Sequence, residues 1–125
     1  MKLFLFFSHS LTDEQTKDLY ETFGDIEIVN LPEKLQFKLS NVPPEIENLG
    51  EYVRDFEKYL LDNSTSGDLV LIQGEFGIVY RLVEFSKSIS LVPIYATTKR
   101  ITKEIIKDGK VVKTSEFKHI RFRKY

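Results

Sequence analysis

Leu3-Phe4-Leu5-Phe6-Phe7-Ser8-His9-Ser10-Leu11-Thr12-Asp13-Glu14-Gln15 decides the fold class. An unbroken apolar run suits a strand buried on both faces, as in a parallel sheet covered by helices. The small polar loop after it ends at Thr12. Gln15 stands three residues on, the spacing of a capping box that opens a helix. Leu11, Leu19, Tyr20 and Phe23 then make an apolar stripe, and Gly24 stops it. Strand, polar loop, capped helix: this is the unit of an α/β fold.

The pattern recurs outward from that stretch. Ile26–Leu31 reads as a second strand, and Leu31–Pro44 as a turn-rich connection with one helical turn at Glu33–Leu39. Apolar positions 49, 52, 53, 56, 59 and 60 predict a helix over Ile46–Leu61, broken by Asn63–Gly67. Asp68–Gln73 is a third strand. Gly74-Glu75-Phe76-Gly77 leads into a helix to about Ile89, with Phe76, Val79, Tyr80, Val83 and Phe85 as its inward stripe. Leu91–Ala96 is a fourth strand, and Pro93 places its own position near the strand's start or on an unpaired edge. Ile101–Ile106 and Val111–Glu116 flank Asp108-Gly109, a hairpin signal because Asp-Gly suits a type I′ turn. One domain over residues 1–125 follows, with a mostly parallel sheet, flanking helices and a C-terminal β-hairpin.

Composition removes whole classes of chemistry. The chain has 125 residues and no Cys, which excludes disulfide scaffolds, thiolate zinc centres, iron–sulfur clusters and cysteine nucleophiles. That usage fits a reducing cytoplasm. Leu3–Phe7 is too short for a secretory h-region, and nothing approaches the roughly 20 apolar residues of a membrane span. With only His9 and His119 as histidines, no metal cluster and no cofactor are expected.

In a parallel sheet, ligands sit beyond the carboxyl ends of the strands. Three loops should emerge there: Ser8-His9-Ser10, Gln73-Gly74-Glu75-Phe76-Gly77 and Ala96-Thr97-Thr98-Lys99-Arg100. Helix N-termini at that edge offer backbone N–H groups to a phosphate. Plainer readings stand beside this one. Ser10 and Thr12 can cap a helix, and Glu75 is favourable in any first helical turn. Gly74-x-x-Gly77 lacks the Lys-Ser/Thr of a P-loop, so a tight turn also explains it.

Charge is partitioned sharply. Residues 1–96 hold 8 Lys+Arg against 16 Asp+Glu, while residues 97–125 hold 10 against 3, giving −8 and +7. The near-neutral total of −1 therefore hides a basic segment with Phe117, His119, Phe122 and Tyr125 interleaved. Such a segment can bind phosphates and stack bases, or simply guard a hairpin's edges with charge. A small anion held at one site fits better than long nucleic acid coating the surface.

Several strings carry a family resemblance along the whole chain. Leu5-Phe6-Phe7-Ser8-His9, Leu31-Pro32-Glu33, Val42-Pro43-Pro44, Leu71 to Gly77, Tyr95 to Arg100 and His119 to Tyr125, in that order, resemble the small CRISPR-associated Csx-type family numbered twenty. The resemblance implies a stand-alone CARF-type domain, a Rossmann-like fold, acting as a homodimer on cyclic tetra-adenylate. It further implies a ring nuclease working without metal, whose products are linear di-adenylates ending in a 2′,3′-cyclic phosphate. The substrate's own 2′-OH is then the nucleophile, so the protein supplies orientation, cations and a proton. His9, Lys99 and Arg100 are the expected catalytic residues. Ser8, Ser10, Gln73, Gly74, Glu75, Phe76, Gly77, Thr97, Thr98, His119, Arg121 and Arg123 are the expected ligand-binding ones. Rival readings are a sponge or sensor that binds the ring uncut, an RNA-binding or RNA-cleaving protein that uses the basic hairpin, and a basic tail that docks on the acidic body of a second subunit.

Overall fold

The structure is a computed structural model that describes all 125 residues. Its sheet has the order β2-β1-β3-β4-β5, from β1 (Lys2–Phe7), β2 (Glu27–Asn30), β3 (Leu69–Gln73), β4 (Val92–Lys107) and β5 (Lys110–Lys124). The first four run parallel, and β5 is antiparallel to β4. The helices are α1 (Asp13–Phe23), α2 (Glu33–Ser40), α3 (Arg54–Asn63) and α4 (Phe76–Ser88). This is the mixed α/β, mostly parallel architecture that the opening stretch implies.

The pleat of β1 explains why its run is apolar throughout. Leu3 and Leu5 point to one face and pack with Leu19 of α1, Leu71, Ile94 and Phe122. Phe4 and Phe6 point to the other and pack with Phe56, Leu60, Ile78 and Leu82 of α3 and α4. All four β1 residues are buried. Connections from β1 build the sheet toward β2, and those from β3 build it toward β4 and β5. The direction reverses between β1 and β3, so their loops flank the topological switch point at the carboxyl edge.

The capping box forms in full. Thr12 Oγ1 accepts from the Gln15 amide at 3.1 Å, and Gln15 Oε1 accepts from the Thr12 amide at 2.9 Å. Gly24, at φ 77°, ends α1 with its N–H on the Tyr20 carbonyl. At the opposite edge buried Asp68 accepts from the amides of Lys2 and Thr65, which ties β1 to the turn before β3.

Four expectations need correcting. The connection after β2 holds a full eight-residue helix, α2, in place of a single turn. The third helix starts at Arg54, not Ile46, because Asn48 Oδ1 accepts from the Gly50 amide at 2.8 Å and from Arg81 at 3.2 Å, which sets a local turn in competition with the helix. Helix α4 keeps its expected span, and Val79, Val83 and Phe85 pack on the core as expected, but the fully buried positions are Ile78, Leu82 and Ser86, and Phe76 and Tyr80 turn outward. Glu75 caps it, so Phe76 sits in the first turn above the sheet edge, 92% exposed, and Tyr80 follows at 65%.

The fourth correction is the largest. The strand that opens at Leu91–Ala96 does not end there. It runs to Lys107 and pairs with β5 throughout, so Thr97-Thr98-Lys99-Arg100 is ladder, not loop. Pro93 is the second residue of β4, ahead of the ladder with β5. Thr97 marks the place where the pair leaves the body: its hydroxyl donates to the Arg121 carbonyl and accepts from the Arg121 amide, beside a register shift at Thr97/Thr98. Beyond it the two strands continue as a free ribbon of about 33 Å, ten residues at roughly 3.3 Å each. The ribbon closes at Asp108 (φ 54°) and Gly109 (φ 74°), both in the left-handed region that a type I′ turn requires.

Candidate functional site

A cleft of about 710 Å³ opens at the carboxyl ends of β1 and β2. One wall is the loop Ser8, His9 and Ser10. The opposite wall is Asn30 with Glu33, Gln36, Phe37 and Ser40 of α2. Gln36 Nε2 donates to the Phe7 carbonyl at 3.1 Å, and this bond holds α2 against the end of β1. His9 is exposed and meets the Phe7 ring edge-on at 5.6 Å between centroids. No hydrogen bond from another side chain fixes its imidazole.

Residues 73–77 lie on the other side of β1 and do not wall this cleft. Gln73 Oε1 accepts from the Ala96 amide at 2.8 Å, a clip between β3 and β4. Glu75 accepts from the amides of Gly77 and Ile78 at 2.8 and 3.1 Å. The first donors of α4 are therefore taken, and the box at Thr12 takes one at α1. The expectation of free helix N-termini at this edge is thus corrected for α4 and in part for α1, whereas α2 opens at Pro32 without a side-chain cap. Gly77 is closely packed, since a Cβ there would stand 2.7 Å from Leu49 Cδ1 and that side chain would have to shift. Gly74 is different: it has no positive φ and nothing within 4 Å of an added Cβ. Neither turn geometry nor packing demands glycine at that position.

The basic residues are divided between two places. Thr98, Lys99 and Arg100 start the ribbon, where Arg100 Nη2 donates to Ser115 Oγ at 3.1 Å. Arg121 and Arg123, with Lys124, line a separate hollow of about 340 Å³ beside the end of α1, and Arg123 Nη1 donates to Tyr95 at 3.1 Å. No Lys or Arg lines the His9 cleft, whose one charged wall residue is Glu33.

His119 serves a role that sequence reasoning missed. Its side chain is only 7% exposed, lies 4.8 Å from the Phe122 ring, and bonds through Nε2 to Asp18 Oδ2 at 2.6 Å. Burial pushes the Asp18 carboxyl up, but hydrogen bonds from His119 and Thr22 and the charges of His119 and Arg121 outweigh it, so it sits below its ordinary 3.8. His119 therefore pins the base of the ribbon to α1 and stands outside the cleft. The α2 wall was also missed. Its polar residues Gln36 and Ser40 carry no motif, and only the course of α2 past β1 brings them to the site.

No helix is long and apolar enough to cross a membrane. Residues 1–123 match the family described as "Uncharacterized protein MJ1673 family". A Methanocaldococcus jannaschii protein described as "Uncharacterized protein MJ1673" is 45% identical over 124 residues, 99% of this chain and 96% of that protein. No solved structure matches the chain. The chain belongs to the MJ1673 family.

Proposed function

We propose that this MJ1673-family chain is a cytoplasmic CARF-type domain of Rossmann-like build that binds cyclic tetra-adenylate at its carboxyl edge and opens it. One observation carries the reading: the Ser8-His9-Ser10 loop lies at the mouth of the cleft, beside the β1/β3 switch point, and the basic ribbon leaves the body at that same edge. Gly74 supports it, because a glycine that the fold does not need suits a backbone approached closely by a phosphate or sugar.

The chemistry asks little of the protein. A ribose 2′-oxygen attacks the adjacent phosphorus, the bond to the 5′-oxygen breaks, and a 2′,3′-cyclic phosphate remains. The 2′-hydroxyl loses its proton to solvent, and His9 delivers one to the departing 5′-oxygen. Lys99 and Arg100 stabilise the charge that builds on phosphorus. Because the cleft wall has no cation of its own, these groups come from the ribbon, and a ring of identical nucleotides suits a site shared by two copies. The second reading is a module that binds the ring uncut. It is favoured by the His9 imidazole, which no hydrogen bond orients for proton transfer.

Incubating the protein with excess cyclic tetra-adenylate in EDTA tests both. Many rings opened per chain, slowed about 10²–10⁴-fold by His9→Ala, is the expected result. Rings bound by calorimetry but left intact select the binding module. Rings not bound at all overturn both readings.

A further inference from the structure

Two sets of large apolar side chains have no cover in this fold. The first is at the tip of the ribbon. Ile105 faces Val112 and Ile106 faces Val111 across the ladder, so both faces of the tip are apolar. Ile106 is 81% exposed and the other three are also open. Lys103, Lys107, Lys110 and Lys113 surround them, with Lys103 and Lys113 paired across the ladder to Glu116 and Glu104. A two-stranded ribbon without a third strand or a helix to pack on is marginal in water. Apolar side chains on both of its faces mark it as a surface built to be covered.

The second set is on the body. Phe76, Tyr80 and Glu84 follow one another at a spacing of four along α4, all outward, with the Tyr80 hydroxyl bonded to Glu84 at 3.2 Å. Beside this ridge runs the segment 44–53, brought there by Leu49 against Gly77 and by Asn48 on Arg81. It carries Glu45, Glu47 and Glu51 without a Lys or Arg, and its Ile46, Tyr52 and Glu51 line an open hollow of about 520 Å³. One surface is aliphatic and basic, the other aromatic and acidic.

We propose that the ribbon is an exchange arm: the arm of each chain lies across the α4 ridge and the acidic 44–53 segment of a second copy, and receives the partner's arm in return. Three observations select a second copy as the occupant. Both surfaces belong to this chain, so a two-fold axis satisfies them together. Their charges are complementary: residues 98–118 of the arm hold 7 Lys+Arg against 3 Asp+Glu, and segment 44–53 holds three Glu with no Lys or Arg, whereas two arms packed on each other would set like net charges face to face. The α4 ridge also begins at the carboxyl edge from which the ribbon departs, and an arm of about 33 Å spans the face of a small domain. Arm exchange stands apart from the ring chemistry, since either can hold without the other.

Sedimentation velocity on the full chain decides the matter. The wild type should run at twice its 14.6 kDa, and the dimer should loosen as salt rises. Ile106→Glu with Val111→Glu, and separately Phe76→Ala with Tyr80→Ala, should each weaken dimerisation at least about tenfold. All four positions are exposed, and unchanged circular dichroism will show that the body remains folded. A wild-type monomer at every concentration overturns the proposal. So does a dimer indifferent to either pair of changes: indifference at Phe76 and Tyr80 alone points to arms packed on each other. Ring turnover is read separately, and its loss or survival leaves the mass measurement to stand by itself.

Discussion

Phe6 and Ile106 are both large apolar residues in strands, yet Phe6 is fully buried and Ile106 is 81% exposed. The body that holds Phe6 has sheet and helices covering each other on two faces. The ribbon that holds Ile106 has backbone pairing and a few exposed cross-strand polar contacts, such as Lys103 with Glu116, and no residue from Thr98 to Lys118 is buried. The contrast separates two sources of order. The body is held by burial, so it should unfold as one unit. The ribbon is held by its turn at one end and its root at the other, so its order is local and adjustable.

The largest effect that tests this contrast is in the core. Phe6→Ala should cost about 3–5 kcal/mol in urea unfolding, while Ile106→Ala, compared at a concentration where the chain is monomeric, should stay within about 0.5 kcal/mol. Equal costs would break the comparison. Asp18→Asn attacks the joint between the two regions and should cost about 1–2 kcal/mol at neutral pH. Because the fold holds the Asp18 carboxyl below its ordinary 3.8, its contribution is complete above that value and disappears as pH falls through the lower, folded one. The gap between wild type and Asp18→Asn should therefore narrow in strong acid. Gly109→Ala, which forces a side chain into φ 74°, should cost about 1 kcal/mol. Hydrogen exchange should place that loss in the ribbon amides and leave those of β1 and β3 protected. Smallest and opposite in sign is Ser86→Ala. The Ser86 hydroxyl is buried in α4 without a partner, so its removal should raise stability by up to about 1 kcal/mol, read as a higher urea midpoint.

The same contrast explains what could be read from residues alone. In the body each strand is marked by burial: β1 by its two-faced apolar run, β3 by Leu69-Val70-Leu71-Ile72. Capping chemistry marks α1, where Thr12, Gln15 and Gly24 each do what their spacing implies. The Asp108-Gly109 turn is legible for a similar reason, since few residues accept its backbone angles. Thr97 to Arg100 are not legible as strand. A segment buried on neither face has no alternation to display, and its Thr, Lys and Arg are the residues of a polar loop. The phase of α4 misleads in the same way. Phe76 and Tyr80 look like core by composition, and only the cap at Glu75 and the height of the first turn above the sheet turn them outward. At the candidate site the His9 loop was legible because it follows β1 directly. The α2 wall depends on how far that short helix runs, and no local pattern encodes this.

The register shift at Thr97/Thr98 gives the ribbon a mechanical property as well as an address. An arm of about 33 Å fixed at one end is a lever, and a turn of about 10° at its root carries the tip about 6 Å. The bond from His119 to Asp18 sits close to that fulcrum, where a short displacement governs a long one. A group that slides between the root and α1 would thus be read out at Ile106 with several-fold gain. Distance measurements between labels on the tip and on α3 would record binding events too small to see at the site itself.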